Sequence, residues 1–215
     1  MKYPNASKGM KILMTAEFIA LAASLIALAL SVFGMPGIDS PEQIDYLSAS
    51  GISGIAVIGM YVAAYGMALF GIVRASGDEP AFKVSVYSII AMIILAVPAA
   101  IFYENEPVYL AISIAGDVAQ FFFVHYIIHG IMHLSEHLGR PELSKQGKGI
   151  FTVIYIGIFF EVIVRIIEIF YGMERGEELA LPFDVAANIL KTVEYIMFFI
   201  YIVKGNKLLK ENNAG

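Results

Sequence analysis

Six apolar runs divide the chain, over residues 10–33, 50–73, 82–102, 108–132, 150–171 and 181–203. A helix rises 1.5 Å per residue, so about 20 residues cross the ~30 Å of hydrocarbon in a bilayer. Polar and apolar positions do not alternate along these runs, as they do in the strands of a membrane barrel. In lipid the backbone must satisfy its own polar groups, and a helix is the element that does so over runs this long. The pattern predicts an all-α integral membrane protein. Its six transmembrane helices form one bundle, a single polytopic membrane domain over residues 1–215.

The connectors carry breakers and caps. Gly34-Met35-Pro36-Gly37 and Asp39-Ser40-Pro41 follow the first run, and Ser76-Gly77-Asp78-Glu79-Pro80 the second. Glu104-Asn105-Glu106-Pro107, Gly139-Arg140-Pro141 and residues 172–179 separate the rest. Orientation follows from lysine and arginine placement, because basic residues stay on the cytoplasmic side. With both termini cytoplasmic, Lys2, Lys8, Lys11, Arg74, Lys83, Arg140, Lys145, Lys148, Lys204, Lys207 and Lys210 all lie inside. Only Arg175 lies outside, where the loops are acidic: Asp39, Glu42, Asp45, Glu104, Glu106, Glu174, Glu177 and Glu178. A missed or false helix would scramble this alternation. The pattern predicts a multi-pass protein of the cell membrane, with lipid as its first partner.

Composition agrees. Hydrophobic residues make up 59% of the chain and charged residues 15%, where soluble domains run near 25%. The chain has no Cys, which excludes disulfides, thiolate metal sites and c-type haem attachment. It has no Trp, so an interfacial aromatic belt would consist of Tyr and Phe. The net charge of −5 and the lack of a basic patch argue against nucleic acid as a partner. The first run is too long for a signal-peptide core of about 7–15 residues and reads as a retained helix.

Ionisable residues within the runs carry the functional signal. A charge at the centre of a membrane helix costs about 2.5–3.5 kcal/mol on insertion scales and marks a site by default. Here they are Glu17, Asp117, Glu161, Arg165, Glu168, Asp184, Lys191 and Glu194. Glu161, Arg165 and Glu168 share one face of the fifth helix, and Asp184, Asn188, Lys191 and Glu194 one stripe of the sixth. Packed antiparallel, the two stripes match in depth, so Arg165 is expected to meet Glu194, and Lys191 to meet Glu161 or Glu168. Asp117 and Gln120 lie at similar depth. An ion-pair network that fixes helix register is one reading. Against it, six carboxylates face two cations. Unmatched carboxylates in a low dielectric take up protons or bind a cation. The candidate solute or ion site is therefore Asp117, Glu161, Arg165, Lys191 and Glu194.

All four histidines fall on the fourth helix at steps of four: His125, His129, His133 and His137. Such a row suits a proton path, and a His-x-x-x-His pair can hold a metal. Glu17, at about the depth of His125 and His129, is expected to join a cytoplasmic relay of Glu17, His125, His129 and His133. Full metal ligation needs three or four donors, and only pairs are visible, so no cofactor is required. His133 and His137 also suit a plain interfacial role.

Two seams of small residues complete the pattern. Ala16, Ala20, Ala23 and Ala27 line the first helix, and Ala56, Gly59, Ala63 and Gly66 the second. Such seams let helices approach closely in lipid. They imply packing of the first helix on the second, or docking of another membrane protein. In size and in its Ala16-x-x-x-Ala20 and Ala23-x-x-x-Ala27 faces, the chain resembles the substrate-binding S components of energy-coupling-factor vitamin transporters. That resemblance implies a six-helix solute-binding protein with a coupling partner; Glu17 departs from an apolar docking face. Gly51-Ile52-Ser53-Gly54 resembles the Gly-x-Ser-Gly of rhomboid proteases. Ser53 starts its helix at the outer end, though, and the histidines lie toward the inner end, beyond reach of a dyad. The expected function is transport or binding of a proton, cation or small polar solute. The alternatives are a non-catalytic docking subunit and a metal-dependent membrane enzyme using the histidine row.

Overall fold

The structure, a computed structural model, describes residues 3–32, 49–171 and 173–214. Among these it contains six helices: α1 (Pro4–Val32), α2 (Ala49–Ala75), α3 (Ala81–Ile101), α4 (Glu106–His137), α5 (Pro141–Tyr171) and α6 (Met173–Ala214). All six are long and apolar enough to cross a membrane, as a multi-pass membrane protein requires. The first loop, with Asp39, Glu42 and Asp45, lies outside the described residues. So do the side chains of Ser53, Glu168, Glu174, Arg175, Glu177, Glu178 and Asp184.

Several helices outrun their apolar segments. α4 continues past Met132 to His137, α5 begins at Pro141, and α6 runs on to Ala214. Hydropathy marks where hydrocarbon ends, whereas a helix stops where its backbone is capped or broken. Gly139, at φ 71, takes the left-handed conformation that turns α4 into α5. Pro141 then opens α5, where its missing N–H costs nothing. At the start of α4 the Asn105 side chain accepts from Val108 N at 3.4 Å. Asp78, between α2 and α3, serves the first turn of α1: its carboxylate accepts from Asn5 N at 2.6 Å and Ala6 N at 2.8 Å. That carboxylate at a helix N-terminus satisfies orphan donors and opposes the helix dipole.

The helices form a ring. Each packs on its neighbours in sequence, and α6 closes the ring on α1 and also touches α4. The closest approach is between α1 and α2. A Cβ placed at Gly9 would lie 2.3 Å from Gly71 O, and one at Gly71 would lie 2.8 Å from Gly9 O. Only glycine allows two backbones this near. These are not the seams expected from sequence. On α1, Ala16 and Ala23 are buried. On α2 the buried positions among the described side chains are Val57, Ala64, Ala68, Gly71, Ile72 and Ala75, while Ala56, Gly59, Ala63 and Gly66 face outward. Lipid is as apolar as a protein interior, so small residues can face it without penalty.

Large buried side chains concentrate at one end of the ring. Met10, Leu13, Ile72, Ile127, Ile131 and Ile202 fill it at 2% exposure or less. Tyr201 ties α6 to α5 there, donating to Leu143 O at 3.1 Å, and the Ser85 hydroxyl ties α3 to α4 through Phe123 O at 3.1 Å. The start of α1 lies at this end, as the Asn5–Asp78 contacts and the 3.4 Å contact of the Tyr3 hydroxyl with His137 Nδ1 show, and the last turns of α6 reach α1 there through Asn206, whose amide donates to Met14 Sδ at 3.6 Å. The outer surface stays apolar: Val62, Ile94, Phe159 and Phe170 are each more than 60% exposed. Such a surface is what lipid, rather than water, accepts.

A central cavity lined by carboxylates and tyrosines

Above the packed end the ring is not filled. A cavity of about 360 Å³ lies at mid-helix depth, and all six helices contribute to its wall. Its charged lining is Glu17 from α1, Asp117 from α4, Glu161 from α5, and Lys191 and Glu194 from α6. Ser24, Tyr61, Tyr65, Gln120 and Tyr195 add hydroxyls and an amide. Helical spacing explains the convergence: Glu17, Ala20 and Ser24 share a face of α1, as Tyr61 and Tyr65 do of α2.

Two ion pairs stitch the wall. Lys191 Nζ lies 2.8 Å from Glu161 Oε1, joining α6 to α5. Arg165 Nη2 lies 3.1 Å from Asp117 Oδ2 and donates to Ser113 Oγ at 3.0 Å, joining α5 to α4. The expected meeting of Arg165 and Glu194 does not occur, and the helix register gives the reason. The alignment that sets Lys191 beside Glu161 puts Glu194 across the bare face of Gly157, where its Oε2 would sit 3.9 Å from an added Cβ. Arg165 then lies level with Ala187, seven residues, or about 10 Å, from Glu194 along α6. Arg165 turns instead to α4 and, unlike the other four residues of the expected site, does not itself line the cavity.

With Lys191 on Glu161 and Arg165 on Asp117, two cavity carboxylates have no cation within salt-bridge distance among the described residues: Glu17 and Glu194. Glu17 is only 9% exposed. Its backbone carbonyl accepts from the Tyr195 hydroxyl at 3.2 Å, and the Ser24 and Tyr61 hydroxyls bond at 2.9 Å one to two turns further along the wall.

The histidine row does not meet Glu17. The α1 backbone packs beside α2 and α6 rather than α4, and among the described residues no histidine lines the cavity. His125 stacks on Phe151 of α5, ring centroids 4.4 Å apart, and its buried Nδ1 has no hydrogen-bond partner among the described residues. His129 is next along the row, at 6.5 Å. His133 Nδ1 lies 2.6 Å from Glu79 Oε2 at the packed end, with the His137 ring 4.1 Å away. Among the described residues no three His, Asp or Glu side chains are placed to hold a metal ion. The structure thus splits the expected relay: Glu17 belongs to the cavity, His133 to the end of the bundle, and His125 and His129 to the α4–α5 side.

Sequence reasoning missed Tyr61, Tyr65 and Tyr195. The signal was present. Tyrosines in a membrane protein gather at the two interfaces, whereas Tyr61-x-x-x-Tyr65 sits well inside its run. No protein-family model, curated protein or solved structure matches this chain.

Proposed function

We propose that the chain is a small transport or solute-binding protein of the cell membrane, with both termini cytoplasmic, that takes a cation or small polar solute into its central cavity. The observation that carries this reading is the pairing of space with uncompensated charge. Glu17 and Glu194 line the cavity without a cationic partner among the described residues, while Glu161 and Asp117 have theirs. Charges at this depth are costly in lipid and are retained where they meet a substrate or each other. The apolar packing of Met10, Leu13, Ile72 and Ile127 lies on the terminal side of the cavity. In a transport cycle this arrangement is the one closed toward the cytoplasm.

The purified full-length chain tests this in a thermal-shift panel of inorganic cations, amino acids, vitamins and amines. A ligand of the native state raises the midpoint by mass action. At least one class should do so, and Glu194→Gln should abolish the shift. A panel without response would sink the solute-binding reading.

A second reading is favoured by one observation. The stripe Ala56, Gly59, Ala63 and Gly66 faces outward, and a Cβ at Gly59 or Gly66 would meet no atom within 4 Å. A subunit that docks a partner helix would present such a surface. Gly59→Leu would then release a co-purifying membrane chain while leaving the thermal midpoint unchanged. If the same material is recovered from the variant and from wild type, the stripe is a lipid-facing surface and nothing more.

A further inference from the structure

We infer that the ligand of the central cavity is an organic ammonium ion, a protonated or quaternary amine with an apolar body, rather than a bare metal ion, a proton or an anion. The inference rests on the solute-binding reading and narrows it.

Size is the first argument. A cavity of about 360 Å³ falls in the range that holds small organic ligands, about 300–1,000 Å³. A dehydrated inorganic cation needs little space but many oxygens at fixed short distance, six or more for calcium. Among the described residues no three carboxylate or imidazole groups converge to that degree. A proton path needs acids linked by hydrogen bonds, not a void between them.

Charge is the second. Glu194 and Glu17 are the two lining acids without a cation within salt-bridge distance among the described residues, and Glu17 is 9% exposed. An anionic ligand would face both. A monocation bound between them favours the ionised form of either acid and offsets one such charge, and a diammonium ion offsets two. The two acids lie at nearly one level: Tyr195, which bonds the Glu17 backbone, is the residue next to Glu194, about 1.5 Å along α6.

The third argument is the remaining wall. Tyr61, Tyr65 and Tyr195 stand around Glu17, with Phe121 of α4 and Phe198 of α6 completing the aromatic part of the wall. Aromatic faces attract ammonium groups through the ring quadrupole and also cover the apolar body of such a ligand. A simple hydrated ion gains nothing from rings, whereas an organic cation uses both rings and carboxylates.

The absence of native Cys makes a direct test possible. Ala20→Cys places one thiol on the cavity wall, a turn from Glu17. In the full-length protein it should react about tenfold faster with a trimethylammonium-ethyl methanethiosulfonate than with the sulfonatoethyl reagent, because a cavity focuses the field of its charges. Adding Glu17→Gln and Glu194→Gln should bring the two rates together. Phenethylammonium and tetraethylammonium should slow labelling, and sodium, potassium and the uncharged phenethyl alcohol should not. Equal rates for the two reagents, or protection by the alcohol as strong as by the amine, would overturn the ammonium inference while leaving a solute cavity. Protection by sodium or potassium alone would overturn it in favour of an inorganic cation. A monodisperse variant that reacts with neither reagent would overturn the cavity as a solute site altogether.

Discussion

Gly9→Ala should damage this protein more than any other single methyl group added to it. The new Cβ would sit 2.3 Å from Gly71 O and 2.7 Å from Ala75 N, both backbone atoms that no rotamer change can move. α1 must therefore move off α2, and the contacts of Ala6, Leu13 and Ala16 with Ala68 and Ile72 loosen along the whole seam. Overpacking of a tight core costs about 1–3 kcal/mol, and a backbone clash lies at or beyond the upper end. Gly59→Ala supplies the opposite sign. Its Cβ meets nothing within 4 Å, and alanine is the better helix former by about 1 kcal/mol. Thermal unfolding in a single detergent should show a large fall in midpoint for Gly9→Ala and no fall for Gly59→Ala. Equal midpoints would mean that α1 and α2 do not approach through Gly9.

The contrast between these glycines shows what hydropathy conveys and what it leaves out. Six runs of about 20 residues specify six helices, because lipid leaves the backbone no other way to satisfy itself. The face each helix turns inward is less visible. In water an amphipathic stripe would reveal it. In lipid both faces are apolar, so the inward face of α2, with Val57, Ala64, Ala68 and Ile72, differs little in hydropathy from the outward face with Gly59 and Val62. The small-residue spacing of Ala56, Gly59, Ala63 and Gly66 pointed to packing, yet the crossing uses Gly9 and Gly71.

Charged residues were more legible, because each must find a partner. Matching the stripes of α5 and α6 by depth leads to Lys191 beside Glu161, at 2.8 Å. The same matching misassigned Arg165, since depth alone does not fix register to within one turn. It also set Glu17 with the histidines. A sequence carries no information on which side of a ring a helix stands. The histidines of α4 turn toward α5 and the packed end and line no part of the cavity that Glu17 enters, so similar depth does not bring the groups together.

Lys191 and Glu161 offer the sharpest separation of structural from functional charge. Lys191→Met leaves the Glu161 carboxylate without its partner beside the cavity. Breaking a fully buried pair costs about 3–5 kcal/mol. The Lys191 side chain is 50% exposed and that of Glu161 23%, so screening lowers the expected loss to about 1–3 kcal/mol. Lys191→Met with Glu161→Gln should recover most of it, because an apolar or neutral replacement of both partners is commonly near neutral. This is a double-mutant cycle, and its coupling energy should be positive and of the same size as the single loss. The ligand response then separates the two roles. Where the pair only fixes the register of α5 on α6, the double variant keeps both the stability and the ligand-induced rise in midpoint, since Glu17 and Glu194 are untouched. Where Lys191 or Glu161 contacts the solute, the double variant folds as well as wild type but no longer responds to the ligand. A single variant as stable as wild type would show that Lys191 and Glu161 contribute nothing to the fold, and the register of α5 on α6 would then rest on Gly157 and the apolar contacts around it.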